Sequence, residues 1–207
     1  TTPIQPHLGK ENYHLSEDLA DQAIKWIQQQ QTSSPDSPFF CYFAPPAVHA
    51  PHQAPKEWIE KHAGVFDDGW DALRENIFDR QSDLGIIPEG TQLTPRPDQI
   101  PSWDSYPDRY KPIATRLMEV FAGFLAHTDA QIKRVLDCIK DIGCDDNTLV
   151  IYITGDNGAS AEGTIHGAWS APSFQNGVHE DPEWLLEHIE DFGTNKCENH
   201  FNVGWAW

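Results

Sequence analysis

The sequence LVIYIT (residues 149–154) runs directly into the polar loop GDNGAS (residues 155–160). A short run rich in β-branched residues favours a buried strand. Residues 112–143, just upstream, carry apolar side chains at helical spacing, which predicts a long amphipathic helix. A helix, a short turn and a strand make half of a parallel α/β unit.

A second unit of the same kind lies near the start of the chain. LSEDLADQAIKWIQQQQ (residues 15–31) has an apolar stripe at helical spacing, and Ser16 is placed to cap the helix. FFCYFA (residues 39–44) then predicts a strand buried on both faces, with Cys41 in the core. Two such units predict an α/β fold with a central, mostly parallel sheet and helices on both faces. Three further short helices are predicted, over residues 55–64, 69–85 and 183–193.

Each predicted strand ends in a polar loop, AVHAPHQAP (residues 47–55) in one case and GDNGAS in the other. Ligands of parallel sheets bind outside the carboxyl ends of the strands. The two loops are therefore expected to share one site.

Composition excludes several classes of protein. The 207 residues carry a net charge of −18, which argues against nucleic-acid binding because that needs a basic face. No segment approaches the roughly 18 consecutive apolar residues of a membrane span. The four cysteines form no C-x-x-C pair, so zinc-finger and thioredoxin-like sites are not expected.

The two loops carry the candidate chemistry. Asp156 and Asn157 offer the carboxylate and amide oxygens that Ca²⁺ and Mg²⁺ prefer, although the same residues are also typical of a plain turn. His49 and His52 suit a general acid, donors to an anionic oxygen or metal ligands, and a loop histidine is equally typical of an ordinary surface. The other histidines share no spacing and are interpreted as surface or structural residues: His7, His14, His62, His127, His166, His179, His188 and His200.

Three stretches in this order resemble the arylsulfatases, which belong to the sulfatase branch of the alkaline phosphatase superfamily: HAPHQAP, GWDALR and GDNGAS (residues 49–55, 69–74 and 155–160). The resemblance extends over nearly the whole chain. It implies an alkaline-phosphatase-like α/β fold and hydrolysis of a small-molecule or carbohydrate sulfate ester. It also implies a formylglycine nucleophile, made from a Cys-x-Pro-x-Arg motif by a formylglycine-generating enzyme, and a calcium ion, with Mg²⁺ as the alternative.

The resemblance also assigns residues to roles. His49 matches the histidine that contacts the sulfate ester and assists the leaving-group oxygen. His52 is expected to line the substrate pocket. Asp156 and Asn157 match a pair of metal ligands.

Residues 1–207 are expected to be an incomplete sulfatase catalytic domain that is inactive alone, because they contain no Cys-x-Pro-x-Arg motif. The family's early aspartate pair and its late lysine are expected outside these residues. Two other functions stay open: a phosphomonoesterase or phosphonate hydrolase of the same superfamily, and a non-catalytic module that binds metal or glycans. The glycan alternative depends on three loop tryptophans that could stack on sugars: Trp169, Trp205 and Trp207.

Overall fold

The computed structural model describes residues 5–155 and 159–207. Its helices are α1 (Leu15–Ser33), α2 (Lys56–Glu60), α3 (Gly69–Asp83), α4 (Lys111–Asp141), α5 (Ala171–Gln175), α6 (Pro182–Glu187) and α7 (Val203–Ala206). Single 3-10 turns cover Trp103–Ser105, Asp108–Tyr110, Asp145–Asn147 and Ile189–Asp191. The two helices that apolar periodicity predicts are confirmed as α1 and α4, and the helix predicted over residues 69–85 is confirmed as α3.

The chain forms two compact units. The first comprises residues 1–48 and 125–154, and the second comprises residues 49–124 and 155–207. Helix α4 contributes to both, because the division falls after Phe124.

The first unit is held together by α1 and the second half of α4. Their facing apolar stripes bury a small core made of Ala20, Ile27, Val135, Cys138 and Ile139. The N-terminal cap of α1 is His14, whose Nδ1 accepts a hydrogen bond from the backbone N–H of Ser16 at 3.2 Å. The prediction that Ser16 is the cap is therefore wrong by two residues.

The predicted central sheet is not present in the part of the chain that the structure describes. Residues 39–44 and 149–154 have no strand structure. The β-type pairing among the described residues consists of two isolated bridges elsewhere in the chain, Ala168 with His200 and Ser170 with Glu198. Phe40 and Tyr42 are 86% and 80% exposed, and Cys41 is exposed as well. The α/β prediction, with a parallel sheet between helices, is therefore wrong for the described residues.

The helix predictions succeed and the strand predictions fail because helices and strands form their backbone hydrogen bonds differently. A helix satisfies its backbone within its own sequence, whereas a strand needs a neighbouring strand. Among the described residues, no backbone hydrogen bond joins residues 39–44 or 149–154 to another segment. Phe39 and Phe43 instead pack against the helical core of the first unit.

The second unit has an aromatic core. Trp70 and Tyr106 are almost fully buried, and their rings meet edge to face with centroids 4.8 Å apart. Trp103 and Trp205 pack against Trp70 at 4.7 and 5.6 Å, and the indole N–H of Trp205 donates to the Ala114 carbonyl at 3.0 Å. Large rings of this kind bury much apolar area and account for most of the packing in a small unit.

Within the described residues, no helix is both long enough and apolar enough to cross a bilayer.

Candidate active site

His49 lies on an exposed bend of the second unit. Its Nδ1 and the carbonyl oxygen of Ala50 are 2.7 Å apart. A carbonyl can only accept, so Nδ1 carries the proton and donates it to Ala50, which fixes the tautomer of the ring. Nε2 is then the nitrogen through which His49 can exchange a proton with a substrate.

His52 has the opposite environment, because its ring is only 1% exposed. It stacks on Phe201 with centroids 5.2 Å apart, and it also contacts Phe121 and His200, at 5.1 and 4.8 Å. The buried Nδ1 of His52 has no hydrogen-bond partner among the described residues.

This environment determines the charge of His52. Burial, reinforced by the nearby His200 and His49, lowers the pKa of His52 to about 3. The ring is therefore neutral near pH 7 and packs as an aromatic side chain. The predicted pocket-lining role of His52 stays a prediction.

The residues after His49 are bonded to a segment far along the chain. The backbone N–H of His52 donates to the carbonyl of Asn199 at 3.3 Å, and that of Ala54 donates to the carbonyl of Gly193 at 3.1 Å. Between them, the side-chain amide of Gln53 donates to the carbonyl of Thr194 at 3.1 Å. Residues 52–54 of the loop that carries His49 (the histidine loop, residues 47–55) are thus all hydrogen-bonded to one distant segment, residues 193–199.

The second unit also contains a cluster of polar side chains around the buried hydroxyl of Tyr106. Asn202 Nδ2 donates to this hydroxyl at 3.1 Å, and His166 Nδ1 lies 3.0 Å from it. Burial raises the pKa of Tyr106, so its hydroxyl stays protonated, and burial also lowers the pKa of His166. The His166 ring stacks on Tyr110 at 3.9 Å.

The predicted metal ligands Asp156 and Asn157 lie outside the described residues. In residues 5–155 and 159–207, no group of three or more His, Cys, Asp or Glu side chains is arranged to hold a metal ion. The predicted calcium site stays a prediction.

Two buried residues that contact His52 are not among the predicted site residues, namely His200 and Asn199. His200 is 2% exposed beside His52, which agrees with the structural one of its two interpretations, and Asn199 is fully buried. Both lie in an irregular segment with no apolar periodicity, nearly 150 residues from His52. No local pattern in the sequence indicates this contact.

The three tryptophans that could stack on sugars, Trp169, Trp205 and Trp207, pack against other side chains of the protein. Trp205 packs against Trp70 and Trp103 in the aromatic core, and Trp169 packs edge to face on Trp184. Trp207 lies beneath the guanidinium of Arg74, 4.1 Å from the ring centroid. Local packing of this kind is the ordinary role of tryptophan in a small unit.

Comparison with known proteins confirms the family resemblance. The Sulfatase family model matches residues 2–187. An uncharacterized sulfatase of Schizosaccharomyces pombe is 38% identical over 201 residues, which is 97% of this chain and 34% of that protein. An arylsulfatase of Klebsiella aerogenes is 32% identical over 165 residues, which is 79% of this chain and 34% of that protein.

The chain belongs to the sulfatase family, because the family model covers most of its length. It is thus related to sulfuric ester hydrolases, and an arylsulfatase is among its relatives. The chain spans about one third of the length of the curated relatives that it matches.

Proposed function

We propose that the complete protein carrying this chain hydrolyses sulfate esters in the manner of an arylsulfatase. The observation that carries the proposal is the family match across residues 2–187, which includes the histidine loop. An aryl sulfate is the first substrate class to test, and carbohydrate sulfates are the second. The overall reaction breaks the bond between sulfur and the ester oxygen, and water supplies the hydroxyl of the released sulfate and the proton of the released alcohol.

His49 is the residue proposed to assist bond cleavage. When the bond between sulfur and the ester oxygen breaks, negative charge develops on the leaving oxygen. A protonated His49 can donate from Nε2 to that oxygen, while Nδ1 keeps its hydrogen bond to the Ala50 carbonyl. The exposed bend leaves room for an ester to approach the ring.

Calcium and formylglycine belong to the proposal on family grounds, and the mechanism takes no step through either. Asp156 and Asn157 are the proposed metal ligands, and a bound Ca²⁺ would stabilise charge on the sulfate oxygens. The nucleophile is proposed to be a formylglycine installed by a formylglycine-generating enzyme. Because residues 1–207 contain no Cys-x-Pro-x-Arg motif, the chain alone is proposed to be inactive.

The decisive experiment compares turnover of 4-nitrophenyl sulfate by the complete protein and its His49→Ala variant. Loss of a general acid lowers kcat by about 10²- to 10⁴-fold. His179→Ala is the matched control, since His179 is an exposed histidine of the same unit. Unchanged kcat in His49→Ala would remove His49 from the mechanism, and an inactive wild-type protein would overturn the proposed function.

The metal proposal has a test that does not depend on activity. Calcium is titrated into the complete protein and its Asp156→Ala variant while heat and melting temperature are recorded. Saturable binding that raises Tm in the wild type, and is weakened at least tenfold in the variant, is the expected result. Equal binding by both proteins would place the calcium site elsewhere.

A further inference from the structure

We infer that Asn199 is a positioning residue for His49, acting through residues 193–199. The inference rests on the proposed function, because it assigns His49 the role of acid. It is carried by the hydrogen bonds that link residues 52–54 to this distant loop.

The side chain of Asn199 closes the loop on itself. Its Oδ1 accepts from the backbone N–H of Gly193 at 3.0 Å and lies 3.2 Å from Sγ of Cys197, whose single thiol proton it shares with the Asp191 carbonyl, also at 3.2 Å. One amide oxygen therefore ties both parts of the loop together. Asn199 is fully buried, so water does not compete for these bonds.

The loop closed by Asn199 then holds the histidine loop by backbone bonds. The Asn199 carbonyl accepts from His52, and the Gly193 carbonyl accepts from Ala54. Gln53 adds side-chain bonds at 3.1 and 3.4 Å to the carbonyls of Thr194 and Cys197. These acceptors all belong to the segment whose shape Asn199 fixes.

His49 depends on this anchor because its own bend offers little support. Its ring is bonded to the adjacent residue, Ala50, and it lies on the exposed side of the loop. The anchored residues begin only three positions later, at His52. A loss of the anchor would therefore shift His49, and misplacement of a catalytic group by about 1 Å can cost about 10²-fold in rate.

The test uses Asn199→Leu, which removes the acceptor and keeps the branched shape of the side chain at a somewhat larger volume, together with two reference variants. Gln53→Met removes the side-chain amide that donates to the carbonyls of Thr194 and Cys197. This variant is used for the same measurements if Asn199→Leu does not fold. Lys196→Met is the matched control: its ammonium is exposed and pairs with Asp191, and its side chain makes no bond to residues 52–54.

Hydrogen exchange gives the first readout. In Asn199→Leu the amides of His52 and Ala54 are expected to exchange at least about tenfold faster, while those of α4 keep their wild-type protection. Unchanged exchange at both amides would overturn the inference and leave the proposed function intact.

Kinetics gives a second readout that a merely structural role would not move. A misplaced acid matters more for a poor leaving group, so kcat should fall further for phenyl sulfate than for 4-nitrophenyl sulfate, with KM nearly unchanged. Equal losses on both esters would contradict positioning. A wild-type protein that hydrolyses neither ester overturns the proposed function itself, whatever the exchange data show.

Discussion

His52 lies stacked on Phe201, with ring centroids 5.2 Å apart and planes inclined by 17°. In this position the imidazole packs in the core of the second unit as an apolar aromatic ring would. The arrangement is stable only while the imidazole is neutral, because the surrounding rings of Phe121 and Phe201 cannot solvate a charge.

The first prediction concerns stability against pH. Folding lowers the pKa of His52 from 6.5 to about 3, so below pH 6.5 the unfolded chain binds a proton that the folded chain does not. This part of the stability is therefore complete above pH 6.5 and is lost progressively as the pH falls towards 3. The loss is at most about 1.4 kcal/mol per pH unit, measured as the free energy of unfolding in urea.

His52→Phe removes the titrating group and keeps an aromatic ring in its place. The variant should lose stability less steeply than the wild type between pH 6.5 and pH 4, with a residual slope from His166, whose pKa is also lowered. Parallel curves for wild type and His52→Phe would show that His52 is not buried neutral.

The second prediction concerns the buried carboxylate of Glu119. It accepts from the Gly64 N–H at 2.9 Å and pairs with Arg116 at 3.1 Å, with both side chains nearly buried. Glu119→Ala leaves the Gly64 N–H without its acceptor and leaves the guanidinium with the more distant, exposed carboxylate of Glu190, 4.0 Å away, so it should cost about 3 kcal/mol of unfolding free energy. Asp137→Ala, which breaks the exposed pair with Lys133, should cost less than about 1 kcal/mol. Similar losses in the two variants would contradict the difference in burial.

The third prediction concerns Gly193, whose φ of +87° lies in the left-handed region. A Cβ there would also lie 2.5 Å from Cδ1 of Ile59, so Gly193→Ala should cost about 2–4 kcal/mol. Gly85→Ala is the control, since Gly85 has a φ of +66° and nothing within 4 Å of its Cβ position, and should cost about 1 kcal/mol. Equal melting temperatures for the two variants would show that the site near Ile59 has room.

The helices were predictable because their information is local. The apolar stripe of α4 predicts its buried face, and α1 follows the same rule with Ala20 and Ile27 buried. The sheet was predicted wrongly for the described residues, because residues 39–44 have a strand-like composition, and composition does not show that the segment lacks a partner strand. His49 and His52 were both predicted as site residues, yet their opposite exposure depends on His200 and Phe201, which no local pattern links to them.

The fourth prediction separates the predicted sheet from the observed structure through the cysteines. A strand buried on both faces would shield Cys41, whereas the structure exposes it. Iodoacetamide at pH 8 should therefore modify Cys41 of the native chain first. Burial raises the pKa of the Cys138 and Cys197 thiols, which lowers their thiolate fraction and slows their alkylation further.

Peptide mass spectrometry over time gives the rate at each cysteine, and the same reaction in urea is the reference in which all four react alike. The expected native rate at Cys41 is within a few-fold of its rate in urea, while Cys138 and Cys197 should be slowed by at least about 10²-fold. A Cys41 as protected as Cys197 would contradict the exposure of residues 39–44.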